Sequence, residues 1–299
     1  MTHLQPGLAP QIDLWTARLL DQGWCVVPSL VSRNFVGRLD SELAEDFDET
    51  PFCEGGFYGA RTKRFGRLLA RSPLAARLVQ HPLVLGITRA VLGPWCDTIQ
   101  LNLTQGLALY PGAPPQLPHS DQDMWRGSVG EIEYLVNVMW PFTRYTRENG
   151  ATVIWPHSHG RHALDEPVPL GEFPAELEPG SALLFLGSTL HGAGGNASSE
   201  VRRGAIISYC LGWLKPYENQ WLAYPPAIAR SFNPELAALV GYAQHRPNLG
   251  NYEGQCPSVL LNDVVPRRFA AVDALRPDQE KLLADYVRQQ DWPTQRPPG

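Results

Sequence analysis

Thr98-Ile-Gln-Leu-Asn-Leu-Thr-Gln-Gly-Leu-Ala-Leu-Tyr110 alternates apolar and polar residues along its first half. On a strand this pattern puts Leu101 and Leu103 on one face and Gln100, Asn102 and Thr104 on the other. A long strand with one polar side suits a barrel whose interior is wet or filled by a ligand. Downstream, shorter strands are expected at 131–140, 151–155, 181–185 and 204–214, separated by Gly/Pro turns. Upstream the apolar spacing is helical at 12–22, stopped by Gly23, then at 32–47 and at 73–92, with a break at His81-Pro82. A short buried strand at 24–28 and a Gly- and aromatic-rich loop at 51–64 lie between these helices. Helices first and many short strands later predict a mainly β fold with flanking helices (α+β), a jelly-roll barrel with helical packing on one side. The expected organisation is one domain over 1–299: a helical part at 1–95, a jelly-roll core at about 96–215 and a C-terminal extension at 216–299. The extension carries helical patterns at 234–242 and 277–290. Leu282, Leu283 and Tyr286 of the latter are expected to pack on the barrel by default, or on a partner.

The net charge of −5 argues against a nucleic-acid-binding surface, which is normally basic. Lys63 and Arg64, with Arg61, form only a short basic cluster. Five scattered cysteines (Cys25, Cys53, Cys96, Cys210, Cys256) with no C-x-x-C pair predict neither a disulfide framework nor a zinc ribbon, but free thiols in a reducing cytoplasm. The stretch Met1-Thr-His-Leu-Gln-Pro-Gly7 lacks the basic region and apolar core of a secretory signal. No apolar run reaches the length of a membrane span. The expectation is therefore a cytoplasmic protein that handles a small molecule, with no nucleic-acid or membrane partner.

Just after the alternating strand stands Leu117-Pro-His-Ser-Asp-Gln-Asp123. His119 and Asp121, two apart on an extended backbone, point to the same face. An imidazole and a carboxylate on one face are two-thirds of a metal site. The third member is expected to be His191, in Gly187-Ser-Thr-Leu-His-Gly-Ala-Gly-Gly-Asn196, after the apolar strand Ala182-Leu-Leu-Phe-Leu186. Two His and one carboxylate with open positions opposite is the facial set of non-haem Fe(II) oxygenases. Arg202 follows eleven residues later at the mouth of Gly204-Ala-Ile-Ile-Ser-Tyr209. A guanidinium there matches the far carboxylate of a 2-oxo acid chelated to the metal. Arg202 is preferred to Arg203 because it shares a strand face with Gly204, whose lack of a side chain leaves room for that carboxylate. His157, His159 and His162 fall in a turn-rich segment and read as a solvated loop. His3, His81 and His245 read as structural. Asp123 is expected to support a ligand or face solvent.

The chain resembles the phytanoyl-CoA dioxygenase family of Fe(II)/2-oxoglutarate oxygenases. The resemblance rests on Gly23-Trp-Cys-Val-Val-Pro28, Thr62-Lys-Arg64, His81-Pro82, His119-Ser-Asp121 and Asn149-Gly-Ala-Thr152. Pro156-His-Ser-His159, His191-Gly-Ala-Gly-Gly-Asn196, Arg202 and Glu218-Asn-Gln220 extend it. It implies a double-stranded β-helix, a cupin-like jelly roll, with iron on His119, Asp121 and His191 as the catalytic centre. It implies Arg202 and Thr152 as contacts for 2-oxoglutarate, with Asn102 or Gln105 helping from the preceding strand. The implied activity consumes O2 and 2-oxoglutarate, releases succinate and CO2, and hydroxylates, desaturates or cyclises at an unactivated C–H bond. The expected substrate is a natural-product or lipid-like metabolite. Trp125, Tyr58, Lys63 and Trp213 are candidate substrate contacts, with Phe57, Trp140, Trp221 and Arg64 as further ones. His157 stands where the family has Gly, and Gln116 lies one residue before Leu117 rather than two before the first ligand. Two readings of other classes compete: a zinc-dependent hydrolase or isomerase on the same triad, and a catalytically silent jelly-roll binding protein.

Overall fold

Gly23 adopts a φ of +81° and its N–H closes on Leu19 O. Helix α1 (Leu8–Gln22) therefore ends at its glycine, and the chain turns straight into strand β1 (Trp24–Val27). Ser32 caps the next helix through Phe35 N–H, but the single helix expected over 32–47 is broken at Leu43 into α2 (Arg33–Glu42) and α3 (Ala44–Glu49). The expected loop at 51–64 conceals the start of a strand, β2 (Thr62–Phe65). Short helices α4 (Leu68–Arg71) and α5 (Ala75–Val79) lead to α6 (Pro82–Leu92), which Pro82 opens at its first turn. The long strand β3 (Ile99–Leu109) is followed by β4 (Leu135–Pro141), β5 (Thr152–Ile154), β6 (Phe173–Pro174), β7 (Ala182–Leu186), β8 (His191–Ala193) and β9 (Arg202–Leu211). The helices α7 (Gln220–Ala223), α8 (Pro226–Ala229), α9 (Pro234–Leu239) and α10 (Pro277–Gln289) complete the chain. This computed structural model describes residues 7–125, 127, 130–161 and 171–290; His3, His162 and the C-terminal Pro-Pro-Gly lie outside them.

Six strands form one antiparallel sheet in the order β1-β7-β4-β9-β3-β2, and three form a second in the order β6-β5-β8. Both edge strands of the large sheet come from the otherwise helical N-terminal part. An antiparallel bridge between His119 and His191 adds the segment after β3 to the small sheet. The result is the jelly roll expected from the strand pattern, with helices covering one face of the large sheet.

Alternation along each strand decides which side packs where. Val136, Val138, Leu184, Leu186, Ile207 and Tyr209 join the helices in the main core, with Leu39, Leu83 and Ile87. Their neighbours Met139, Leu183 and Phe185 point the other way, into a smaller core with Leu107, Leu109, Tyr145 and Ile154.

On β3 the alternation is not the one the sequence suggests. The register against β9 shifts between Leu101 and Leu103, leaving Asn102 as an extra residue. Beyond this bulge the odd-numbered positions take the inner face: Leu103 pairs with Ser208, Gln105 with Ile206 and Leu107 with Gly204. Thr104, expected to share a face with Asn102, instead points outward, where its hydroxyl meets Leu68 N–H (3.1 Å) and Tyr224 Oη (2.7 Å). One inserted residue thus turns Gln105 toward the interior.

Helix α10 departs from expectation in another way. None of its residues is buried, and Leu282 is 66% exposed. Among the described residues, no helix is long and apolar enough to cross a membrane.

Candidate active site

His119 and His191 are locked together by the backbone before their side chains enter the argument. Each donates its N–H to the other's carbonyl at 2.9 Å. The antiparallel pair places the two rings side by side, centroids 4.4 Å apart. His191 begins β8 and pairs with Ile154 of β5. Asp121 follows one extended residue after His119 and opens a 3-10 turn, Asp121–Met124. That turn is pinned by Ser120 Oγ and Gln122 N–H, which both donate to Gly187 O (2.8 and 2.9 Å). The buried Gln122 side chain ties it to Ile132 O and Tyr134 N–H.

The ring nitrogens are sorted by their hydrogen bonds. His119 Nδ1 lies 2.8 Å from Leu117 O and His191 Nδ1 lies 3.0 Å from Thr189 O. A carbonyl only accepts, so both Nδ1 atoms carry the proton and both Nε2 atoms present lone pairs. The two Nε2 atoms each stand 3.6 Å from an Asp121 oxygen, one on Oδ1 and one on Oδ2. The three groups offer ligand atoms all within 4.8 Å of one another. Two neutral imidazoles and a carboxylate so disposed fit a divalent transition metal and leave one hemisphere open.

Electrostatics support that assignment. Burial raises the Asp121 carboxyl, but His191, His119 and the amide of Asn137 outweigh it and hold it at about 2. Asn137 Nδ2 donates to Asp121 Oδ2 at 2.9 Å. Burial lowers His191, which favours the neutral ligand form. Burial also lowers His119, but attraction to the Asp121 carboxylate and the Leu117 carbonyl on Nδ1 more than offset this, and the net shift is upward.

A cavity of about 400 Å³ opens beside the triad, between the two sheets. The structure brings Tyr58, Asn102, Gln105, Thr152 and Arg202 to its wall. Arg202, only 1% exposed, sits at the inner end of β9. Its Nη1 donates to Gly150 O, its guanidinium lies 4.2 Å from the Tyr145 ring centroid, and its Nε is buried with no partner. Among the described residues no carboxylate forms an ion pair with it. A fully buried cation without an anion is costly, so this group is built to meet one. The room expected above Gly204 is not available for that purpose: a Cβ there would stand 1.9 Å from Tyr145 Oη. Gly204 makes space for the tyrosine on which Arg202 rests.

Asn102 Nδ2 donates to Ser208 Oγ (3.0 Å) while its Oδ1 accepts from Tyr217 N–H (2.7 Å). Gln105 Oε1 accepts from Arg64 Nη1 at 3.1 Å, which puts a second guanidinium on the cavity wall. Thr152 is buried on β5 opposite Ala193. Tyr58 and Tyr217 share a short hydroxyl–hydroxyl bond near the mouth, beside Phe57, Met124 and the exposed Asp123.

Three candidate substrate contacts do not reach this cavity. Lys63 is buried, its Nζ donating to Phe47 O and Asp48 O (3.0 and 2.9 Å) between the rings of Phe52 and Tyr110. Trp125 donates its Nε1 to Lys215 O (2.9 Å) and stacks edge-on with Tyr134. Trp213 donates to Trp95 O (3.0 Å) and lines a different cavity. Trp140 is core, and Trp221 also belongs to the second cavity. Asn137, Gln116 and Tyr217 complete the first cavity or its support without having been singled out for it. Of these, Asn137 left a signal: a lone amide in the apolar strand Leu135-Val-Asn-Val-Met139.

The expected solvated turn at Pro156-His-Ser-His159 is docked on α1. His157 takes a φ of +60°, the conformation a glycine adopts freely. Its Nδ1 lies 3.2 Å from Asp21 O, and His159 Nε2 lies 2.8 Å from Leu20 O, so both rings bond the last carbonyls of that helix.

The family model for phytanoyl-CoA dioxygenase (PhyH) matches residues 20–204, a span that holds the triad, Thr152 and Arg202. The chain belongs to the phytanoyl-CoA dioxygenase family. It is accordingly an oxidoreductase of the dioxygenase class. Among relatives, Dioxygenase trt7 of Aspergillus terreus is 30% identical over 236 residues, covering 75% of this chain and 82% of the relative. Among solved structures, the epimerase SnoN in complex with Fe3+, alpha ketoglutarate and nogalamycin RO aligns with a TM-score of 0.57 at 18% identity, over 69% of this chain and 85% of SnoN. HygX from Streptomyces hygroscopicus, with nickel and 2-oxoglutarate bound, aligns with a TM-score of 0.55 at 16% identity, over 69% of this chain and 89% of HygX. At such identities these two establish a shared fold.

Proposed function

We propose that the protein is an Fe(II)- and 2-oxoglutarate-dependent dioxygenase that oxidises an unactivated C–H bond of a small natural-product-like molecule. The observation that carries this reading is the pairing of the His119–Asp121–His191 set with Arg202, a buried guanidinium with no anion of its own among the described residues. A zinc hydrolase would use the triad but has no need of that cation. The Fe3+ and alpha ketoglutarate in the SnoN structure, and the nickel and 2-oxoglutarate in the HygX structure, agree with the donor set found here.

The chain's own residues have distinct tasks. His119 and His191 supply neutral nitrogens whose tautomers are set by Leu117 O and Thr189 O. Asp121 supplies the charge and is held in orientation by Asn137. Arg202 would hold the distal carboxylate of 2-oxoglutarate. Thr152, Asn102, Gln105 and the newly placed Arg64 offer polar contacts along the same wall. Leu103, Leu107, Met139, Phe185 and Ile206 make the remainder apolar, which excludes water from the metal-facing hemisphere. Iron held by these residues would supply activation of dioxygen, with the 2-oxo acid as the reductant that leaves as succinate and CO2. Phe57, Tyr58, Met124 and Tyr217 at the mouth offer a largely apolar, aromatic surface, suited to a hydrophobic substrate.

The test is an anaerobic titration of metal-free protein with Fe(II) and 2-oxoglutarate, followed in the visible. A weak charge-transfer band that requires both and disappears in His191→Ala supports the reading. Tight metal binding without such a band moves the assignment to a hydrolase or a silent binding protein. Asp121→Ala is expected to abolish substrate-dependent succinate release; unchanged turnover refutes its role as a ligand.

A further inference from the structure

Arg202 is buried, and burial pushes its guanidinium down. A guanidinium is nonetheless not deprotonated in proteins, so a cation sits inside the fold. The groups that hold it are neutral. Nη1 donates to Gly150 O, and the guanidinium carbon lies over the Tyr145 ring, 4.2 Å from its centroid. A carbonyl and a ring face attract a cation without neutralising it. A carboxylate in the place of the ring would neutralise it and compete with an incoming anion.

The ring is itself fixed in place. Tyr145 is fully buried, and its backbone N–H and carbonyl bond Leu177 O and Leu177 N–H at 2.8 and 3.0 Å. Its Oη donates to Met139 Sδ at 3.7 Å, and Met139 lines the metal-side cavity. The strand beside it makes way for it. Gly204 lies inside β9, and its φ is not among the positive ones, so the backbone path alone does not call for glycine. A Cβ there would come nearest to Tyr145 Oη, with Trp140 O next at 2.6 Å. A glycine that weakens a strand is explained by such a close approach.

We propose that Tyr145 is a positioning residue for the co-substrate, its ring face keeping the Arg202 guanidinium in place before an anion arrives. The proposal rests on the reading of Arg202 as the anchor for the distal carboxylate of 2-oxoglutarate. It adds that the preference for a dicarboxylic over a monocarboxylic 2-oxo acid is set by Tyr145 acting through Arg202. A group already held in its binding position loses less freedom when the ligand binds, and a desolvated ring holds a cation more strongly than an exposed one.

Two 2-oxo acids of equal chain length test it. 2-Oxopentanoate keeps the chelating end of 2-oxoglutarate and has a methyl group in place of the distal carboxylate. Each is titrated anaerobically into the Fe(II)-loaded protein, and its affinity is read from the visible charge-transfer band. Wild type is expected to bind 2-oxoglutarate about tenfold more tightly or better. Tyr145→Phe keeps the ring and is expected to stay within about twofold of wild type for both acids. Tyr145→Leu is expected to weaken 2-oxoglutarate about tenfold and to leave 2-oxopentanoate within about twofold. Placing 3,4,5-trifluorophenylalanine at position 145 keeps the ring and withdraws charge from its face. It is expected to show the same selective loss relative to Tyr145→Phe, so the test stands if Tyr145→Leu does not fold. Equal weakening of both acids in Tyr145→Leu marks a purely structural residue and overturns the proposal. Undiminished 2-oxoglutarate affinity in the trifluorinated protein overturns it as well. These two results leave Arg202 as the anchor, provided wild type discriminates. Wild type that binds both acids equally refutes Arg202 as the anchor, and the absence of a band with either acid refutes the proposed function; the role of Tyr145 falls with each.

Discussion

Asp121 is held by groups of different kinds: two imidazoles 3.6 Å away and one neutral amide at 2.9 Å. The amide is not itself one of the donor groups, so Asn137 orients the carboxylate from outside the donor set. Asn137→Leu keeps the volume and removes the hydrogen bond. Metal affinity is expected to fall about 10- to 100-fold, read by Fe(II) or Co(II) titration, with the fold retained; an unchanged affinity refutes this role. A second carboxylate, Asp97, has a structural task. Hydrogen bonds from the Arg246 side chain, at 2.6 to 3.1 Å, hold it below the usual carboxylate range. A carboxyl depressed in the folded state contributes stability in full above its unfolded value, about 3.9, and loses it as pH falls through its folded value. Asp97→Asn should therefore lower the urea midpoint at neutral pH, and its gap from wild type should shrink at about pH 3. A gap that is the same at both pH values removes this pair from the account of acid stability.

At the level of elements, the turn at Asn149-Gly150 connects the small sheet to the buried cation. Gly150 has a φ of +87°, a Cβ there would lie 2.6 Å from Gly194 O, and its carbonyl accepts from Arg202. Gly150→Ala is expected to cost about 2–3 kcal/mol from backbone strain and crowding and to weaken 2-oxoglutarate binding with it. Urea unfolding and the visible titration check both; loss of stability with an unmoved co-substrate affinity would uncouple the turn from the anchor. The triad was legible in the sequence because ligand chemistry restricts residue types: few roles suit a His-x-Asp after a strand and a distant His after another. The elements that carry it were less legible. β8 has three residues, too few for a period, and β2 lies at the end of a Gly-rich stretch where composition signals a loop. The bulge at Asn102 left no mark, since apolar and polar residues keep alternating from Leu101 to Thr104 while the face changes. Lys63 misled because a basic cluster reads as solvated, whereas two backbone carbonyls and two rings enclose its ammonium.

Across the whole molecule, stability resides in the two cores that flank the large sheet, and α10 belongs to neither. Deleting residues 277–299 should shift the melting temperature by only about 1–2 °C, the scale of a surface change in a domain this size. A large drop would assign the helix a packing role that its exposure argues against. The bridge between His119 and His191 has a consequence of another kind. It joins segments 72 residues apart in the chain, so it closes one of the longer loops of the fold and the entropy of that closure must be met during folding. A metal that binds only the closed pair adds RT ln(1 + [M]/Kd) to the native state by mass action. Metal supply thus sets how often this seam opens, and hydrogen exchange at the His119 and His191 amides should slow in proportion to metal occupancy while the outer helices exchange unchanged.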